Sequence, residues 1–325
     1  MKKWILTVLL FTCLASARGQ DIHFSQIDID PILNNPAYSG FFDGTGRFGL
    51  CYRNQWASVS KAFQTVAATA EVSLMRRRYY SDGLSLGVIL YSDRAGTLHY
   101  GTSAANAVLS YFKALGSSNN CFLSVAAEVG IGQAGFNTAD ISMEDPTELL
   151  PNISTSFVTL GVGAAWFYQP NDDFYLKVGV AGRNLNQPDI SYLEQEDACI
   201  YRKLMGYTRA EYRAWSDVAL LPLLSVALQE NYREAVVGCD AKWYLSEAGG
   251  QLTAFSGGLH YRWRDAVMVA LTAEHNAFLL SLIYDANLSK LTPASKSVGS
   301  FELCLVYRLV RQRRMKHRAL PCPII

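Results

Sequence analysis

The chain has 325 residues, half of them hydrophobic, and a formal net charge of +1 at pH 7. This balance excludes the strong basic excess that extensive nucleic-acid binding requires, so no nucleic-acid partner is expected. Beyond the N-terminus no stretch of about 18 apolar residues occurs, which excludes a membrane-spanning helix.

Residues 1–19 have the parts of a secretory signal peptide. Two lysines are followed by an apolar run at 4–12 and by the small-residue pattern Ala15-Ser16-Ala17. The apolar run is shorter than the roughly 20 residues that span a bilayer. A lipoprotein signal ending at Cys13 is the alternative, which the poor match before that cysteine disfavours. The sequence therefore predicts an exported chain.

Residues 20–43 form an N-terminal segment with turn chemistry but no clear periodicity. Asn34-Asn35-Pro36 and Gly40 are typical of turns. Such a segment could plug the lumen of a barrel or lie beneath it, and both placements stay open at this point.

From residue 44 to residue 310 the side chains alternate with a period of two. In 301–309, for example, phenylalanine, leucine and tyrosine alternate with glutamate, cysteine, valine and arginine. A strand puts these two sets on opposite faces, one apolar and one charged. Runs of this kind predict about fourteen strands, near 44–57, 61–76, 82–92, 97–115, 120–136, 156–169, 173–184, 206–215, 218–230, 233–245, 251–263, 266–275, 277–287 and 298–310.

A water-soluble β-sandwich would alternate in the same way, so further observations are needed. The apolar faces carry large, lipid-compatible side chains, whereas the opposite faces carry too much charge for a dry core. The even-numbered connections are short, and the longest, 137–155, 185–205 and 288–297, are all odd-numbered. Short periplasmic turns with longer outer loops are typical of outer-membrane barrels. We therefore predict an all-β fold: a transmembrane antiparallel β-barrel of about 14 strands, embedded in outer-membrane lipid.

The predicted inward face has two interpretations. Its cations could line an anion-selective pore, or its carboxylates could pair with them and close the interior. The cations are Arg47, Arg53, Lys177, Arg183, Arg262, Arg264 and Arg308, and the carboxylates are Glu71, Glu128, Glu274 and Glu302. The sequence leaves both interpretations open.

No motif indicates catalysis. Phosphate-binding, dinucleotide-binding, GxSxG and HExxH patterns are absent. Ser256 and His260 share a strand face but are about 13 Å apart, too far for a hydrogen-bonded pair. The acidic run from Asp140 to Glu148 is more typical of a solvated loop than of a calcium site. We therefore predict no enzyme activity, no metal and no cofactor.

Seven cysteines are scattered along the chain without zinc-type spacing. An exported protein can form disulfides, but several of these cysteines lie within predicted strands. We expect them to be small buried hydrophobic residues.

Residues 311–325 form a basic tail after the last predicted strand. Its cations are Arg311, Arg313, Arg314, Lys316 and Arg318, and Pro321-Cys322-Pro323 follows them. The tail could be a solvated end or a periplasmic docking tail for an acidic partner.

Several short motifs resemble the PorP/SprF family. Phe24-Ser25-Gln26, Asn35-Pro36-Ala37-Tyr38-Ser39-Gly40 and Tyr52-Arg53-Asn54-Gln55-Trp56 are similar to its FSQ element, its NPAxxG turn and its YRxQW first strand. The basic tail with Pro321-Cys322-Pro323 is similar to the Lys/Arg-rich tails of many members. The resemblance runs from about residue 20 to residue 325, with departures at Ile27–Asp30 and in a polar loop at 189–205.

This resemblance implies an outer-membrane component of type IX secretion, linked to adhesins and in some members to gliding motility. Its implied partners are a secreted cargo protein with a C-terminal secretion domain and periplasmic components of the machine. A porin-like channel for small solutes is the alternative function. The residues expected to contact a partner or to hold the N-terminal segment are Phe24, Ser25, Gln26, Asn35, Pro36, Arg53, Gln55 and Trp56.

Overall fold

The computed structural model describes residues 24–25, 27–55, 63–76, 82–95, 100–115, 120–136, 153–191, 198–246, 252–288 and 298–309. Within these ranges, fourteen antiparallel strands form one closed barrel in which neighbours in sequence pair and the last strand pairs with the first. The strands are β1 (Gly46–Gln55), β2 (Phe63–Arg76), β3 (Gly83–Ala95), β4 (Tyr100–Ala114), β5 (Cys121–Phe136), β6 (Ile153–Tyr168), β7 (Phe174–Arg183), β8 (Lys203–Trp215), β9 (Val218–Gln229), β10 (Tyr232–Ser246), β11 (Thr253–Arg262), β12 (Ala266–His275), β13 (Phe278–Asn287) and β14 (Val298–Leu309). The predicted fold class is confirmed.

The alternation of the sequence gives the barrel an apolar outside and a charged inside. On β1, Phe48 and Leu50 point outward and are exposed, whereas Arg47 and Arg53 point inward and are buried. On β11, Leu259 is 64% exposed on the outer surface. Similar exposed leucine, valine and aromatic side chains on the other strands form an apolar belt around the barrel, as contact with lipid requires. No helix among the described residues is long and apolar enough to cross a membrane.

The two ends of the barrel differ. We call the end where β1 begins and β14 ends the terminal end, and the opposite end the loop end. Connections at the terminal end include the two-residue turns at 216–217 and 276–277. The loop end carries the long connections 137–152, 184–202 and 288–297, the asymmetry that the sequence predicts.

The seam between the first and last strands is closed by a disulfide. β1 and β14 pair from Gly46 to Gln55, and Cys51 lies opposite Cys304 in this register. The two cysteines form a disulfide across 253 residues of sequence. The expectation that the cysteines are simple buried hydrophobic residues is therefore wrong for this pair, and also for Cys239, which is exposed. The disulfide therefore links the two strands whose pairing closes the barrel.

The barrel wall is incomplete between β6 and β7 towards the loop end. β6 pairs with β5 along its whole length but with β7 only over Val162–Tyr168. Beyond that point the backbone N–H of Leu185 donates to the Leu160 carbonyl at 2.9 Å. The Asn186 amide then accepts from the Leu160 N–H at 3.0 Å and donates to the Val158 carbonyl at 2.7 Å. A side chain thus occupies the strand edge that would otherwise be unpaired.

Arg264, which the sequence predicts to point into the lumen, does not do so. Arg264 is in the turn between β11 and β12, with a φ of 59°. It is exposed and its guanidinium lies 6.0 Å from the ring centre of Trp263. The prediction for Arg264 is wrong because the strand ends at Arg262, so the alternation no longer determines direction.

Candidate functional site: the lumen segment

A piece of chain near the N-terminus lies inside the barrel. Its described residues, 24–25 and 27–45, contain two single-turn 3-10 helices, Pro31–Leu33 and Pro36–Tyr38, and most of their side chains are buried. We call these residues the lumen segment. The lumen segment contacts opposite sides of the ring, on β1 to β3, β6 to β8, β11, β13 and β14. A chain that bonds to opposite walls of a closed barrel must occupy its lumen.

Ser25 holds the first part of the lumen segment near the loop end. Its hydroxyl accepts from Arg53 at 2.8 Å and from Arg262 at 2.6 Å, and it donates to Asp285 at 3.0 Å. A hydroxyl has one donor and two lone pairs, so these bonds use its full capacity. Its backbone N–H donates to Glu302 at 2.8 Å. Ser25 therefore joins β1, β11, β13 and β14 through one residue.

The guanidinium of Arg53 links this cluster to the motif residues of β1. It pairs with Glu302, and one of its N–H groups donates to the Gln55 amide oxygen at 3.1 Å. Arg53 is 2% exposed, so the charge depends on these partners. Gln55 thus orients Arg53 but does not contact the lumen segment in the described bonds.

Asp28 is the centre of a second cluster. Its carboxylate pairs with Lys177 on β7 and lies 2.9 Å from Arg209 Nε on β8. Arg209 also contacts Asp240 at 2.7 Å, and Asp240 contacts His260 at 2.8 Å. Two cations within ion-pair distance balance the charge of the buried Asp28 carboxylate.

Asp30 is in a different environment. It is buried and accepts a 2.6 Å hydrogen bond from the Thr69 hydroxyl, and no ion pair of Asp30 is found among the described residues. Two carboxyl groups two residues apart thus differ in their partners: Asp28 meets two cations, and Asp30 meets a hydroxyl group.

The turn at Asn35-Pro36 packs against the inner wall at β6 and β7. The Asn35 side-chain oxygen accepts a hydrogen bond from the Ala37 N–H at 2.9 Å and so caps the second 3-10 helix. The Asn35 side-chain nitrogen donates to the Ala164 and Val180 carbonyls at 3.1 and 3.2 Å. At Gly163 a Cβ atom would lie 2.1 Å from that Asn35 oxygen. Glycine is therefore required where β6 faces the turn.

Arg183 and the aromatic side chains fix the rest of the lumen segment. The Arg183 guanidinium donates to the Leu33 and Ile32 carbonyls at 2.6 and 3.0 Å and pairs with Glu128 at 3.0 Å. Nearer the terminal end, the Phe41 ring stacks on Phe167 with centres 3.6 Å apart. The same ring meets two more phenylalanines edge-on.

Inward cations that the sequence predicts meet carboxylates. Besides the pairs above, Arg47 contacts Glu71 at 2.7 Å, Arg308 contacts Glu274 at 2.5 Å, and Lys242 contacts Glu274 at 3.0 Å. With the exception of Arg264, the predicted lumen cations thus have acidic partners within the described barrel. This geometry corresponds to the closed charge network, not to a row of free cations lining a pore.

The predicted site residues fall into three groups. Phe24, Ser25, Asn35 and Pro36 are buried in the lumen segment, and Arg53 with its partner Gln55 faces it. Gln26, Trp56 and the basic residues of the tail lie outside the described residues, as does the acidic run Asp140–Glu148.

Sequence reasoning missed the residues that anchor the second cluster: Asp28, Arg209 and Asp240. Arg209 and Asp240 lie at inward positions of their strands, so the alternation could have found them. Asp28 is in Ile27–Asp30, where the sequence departs from the family pattern, and no local signal marked it.

No catalytic or metal arrangement is found in the described part of the chain. His260 Nε2 contacts Asp240, not Ser256. Within the described residues no group of His, Cys, Asp and Glu has the geometry of a metal site.

Comparisons with known proteins bear on the family and on the fold. A family model described as "Type IX secretion system membrane protein PorP/SprF" matches residues 16–307. No curated protein matches the sequence. Among solved structures, the deltaS2 mutant of the TodX monoaromatic hydrocarbon channel is 8% identical with a TM-score of 0.52, over 85% of this chain and 93% of that chain. The Ralstonia pickettii toluene transporter TbuX is 10% identical with a TM-score of 0.48, over 85% and 91%. At such identities the likeness concerns the barrel fold alone.

Proposed function

The chain belongs to the PorP/SprF family of type IX secretion system membrane proteins, and on this premise we propose that it docks a secreted surface protein without catalysing a reaction. The family and the barrel fold make it an outer-membrane component of type IX secretion. The docking role, the individual partners and the lack of catalysis are the proposal.

The observation that supports docking over solute transport is the filled lumen. Ser25 and Asp28 join the lumen segment to six charged wall residues through buried bonds. Breaking one buried ion pair by removing a partner typically costs about 3–5 kcal/mol. Opening a solute path by displacing the lumen segment would break several, so an open pore is disfavoured at equilibrium.

The two ends of the barrel suit different partners. The long connections 137–152, 184–202 and 288–297 lie at the loop end, where a secreted cargo with a C-terminal secretion domain would dock. The terminal end and the basic tail, 311–325, would face periplasmic components of the machine. The five cations of the tail favour an acidic surface there.

In-cell photo-crosslinking tests the docking proposal. A photo-reactive residue at Arg202, which is exposed in the 184–202 connection, should capture a secreted surface protein. The matched control is the same residue at Leu228, which is 44% exposed on the lipid-facing side and should capture none. Equal capture at both positions, or no secreted protein from Arg202, would overturn the proposal.

Single-channel conductance tests the porin-like alternative. Purified protein in planar bilayers should show no steady conductance because the lumen is occupied. A stable conductance that rises with salt concentration would support the solute channel instead.

Substitution of the five tail cations by glutamine tests the periplasmic contacts. It should reduce co-purification of periplasmic components and leave the barrel folded.

A further inference from the structure

The hairpin of β5 and β6 extends beyond the neighbouring strand β7 at the loop end. β6 pairs with β5 over all 16 of its residues but with β7 only from Val162 onward. On the loop-end side of Val162, Leu185 and Asn186 bond to the backbone of Leu160 and Val158. The rest of β6 towards the loop end has no ladder partner on that side among the described residues.

The free edge of β6 consists of backbone groups of three residues. In an antiparallel strand, alternate residues direct their N–H and carbonyl groups to the same side. Leu160 and Val158 bond away from β5, so Ser156 and Ser154 direct their backbone groups the same way. The N–H of Val158 and both backbone groups of Ser156 and Ser154 therefore have no partner there within the described chain. Such an edge is a template for pairing with another strand.

The free edge is accessible at the outer border of the membrane. The side chains of Ser154, Ser156 and Val158 point outward and are exposed. Near the terminal end, Trp166 stacks on Tyr168, as in the interfacial aromatic girdles of such barrels. Ser156 lies ten residues from Trp166 along β6, which is about 33 Å of strand or roughly 25 Å of height at a tilt near 40°. The apolar band of such barrels is about 25 Å tall, so the two serines lie at its outer border.

The described parts of the connection after β7 lie on the lumen side of β6. Asp189 and Cys199 form a β-bridge that joins the two parts. The carbonyl of Ser191 accepts a hydrogen bond from the Thr155 hydroxyl at 3.2 Å. Thr155 points to the same side as the buried Phe157, into the barrel. These parts therefore cover the inner face of β6 and leave its edge uncovered.

A second copy of the barrel does not fit the free edge. Two barrels in one membrane have parallel axes, and barrel strands tilt by about 35–45° from the axis. The facing edges of two copies would therefore cross at about 70–90°. Paired strands differ in direction by only about 10–35°, so the two edges would not form a ladder.

We propose that the free edge of β6 binds an extended segment of the docked surface protein, which joins the sheet as an additional strand. This inference rests on the docking function proposed above and specifies where at the loop end the contact is made. Backbone hydrogen bonds give strand addition its affinity, and alternate side chains give it selectivity. Beside the hydroxyls of Ser154 and Ser156 and the side chain of Val158, a segment rich in threonine and valine fits. Asn186 ends the added strand, because its side chain already bonds to Leu160.

Two substitutions at Ser156 separate the backbone from the side chain. Ser156→Pro removes the N–H of the free edge and puts a ring in its place, but the bonds to β5, which Thr155 and Phe157 make, remain. Ser156→Ala keeps the N–H and removes only the hydroxyl. Capture of the secreted surface protein by a photo-reactive residue at Arg202 should fall about tenfold or more in S156P and change by less than about twofold in S156A. Unheated gel migration checks that both barrels are folded.

A photo-reactive residue at Ser154 identifies what occupies the free edge. We expect it to capture the secreted surface protein. Crosslinking of Ser154 to residues 137–152 of the same chain or to a second copy, or equal capture by S156P and S156A, would overturn the inference. If Arg202 captures the surface protein equally in S156P and wild type, docking stands and the free edge is not its site. If Arg202 captures none in wild type, both docking and this inference are wrong.

Discussion

Replacing Asp28 with asparagine tests whether buried charge holds the lumen segment. The substitution keeps the shape of the side chain but removes the charge that pairs with Lys177 and Arg209. Arg209 retains Asp240 as an acidic partner. Lys177, in contrast, loses its carboxylate in a site where it is 3% exposed.

The size of the effect follows from the cost of an unpaired buried charge. Leaving a buried cation without its partner typically costs about 3–5 kcal/mol. We therefore expect the D28N variant to lose roughly 3–5 kcal/mol of unfolding free energy at pH 7.

Thermal unfolding in detergent, followed by tryptophan fluorescence, measures this loss. The matched control is D172N, in the exposed turn between β6 and β7, where a change within about 0.5 kcal/mol is expected. Adding Lys177→Met to Asp28→Asn should restore part of the stability because it removes the unpaired cation.

Wild type and D28N differ only in this buried charge, so the difference between their stabilities measures what the charge contributes. An Asp28→Asn variant as stable as Asp172→Asn at pH 7 would refute the idea that this pair holds the segment.

Two other predictions concern the packing of a wall glycine and the disulfide at the seam. Gly163→Ala should destabilise by about 1–3 kcal/mol through the clash with the lumen segment, whereas Gly206→Ala, which meets nothing within 4 Å, should be neutral in the same assay. Alkylation before and after reduction, read by mass spectrometry, should show Cys51 and Cys304 protected until reduced; labelling of either without reduction would contradict the disulfide.

Local sequence was sufficient for the wall of the barrel. The direction of Phe48 against Arg47 follows from a strand period of two, which no distant residue alters. The same rule fails at Arg264, because the strand has ended and a left-handed turn sets its direction. The alternation therefore predicts the direction of a side chain only within a strand.

The contents of the lumen needed more than local pattern. The motif at Asn35-Pro36 predicted a turn. The contact of this turn with Gly163, however, depends on the register between β6 and β7. The position of Ser25 between Arg53 and Arg262 depends on strands more than 200 residues apart meeting across the ring.

The sequence by itself predicted about fourteen strands, each with an apolar and a charged face, because side-chain alternation is a property of each strand alone. The lengths of the connections and the charge of one face then favoured a membrane barrel over a sandwich. Only the tertiary structure decided that the inward charges are paired, that Cys51 is bonded to Cys304, and that the lumen segment runs from the loop end to the terminal end. Each of these depends on which strands the closed barrel brings face to face. Closure of the barrel determines which strands face each other. Because it joins residues that are distant in sequence, a local sequence pattern does not reveal these contacts.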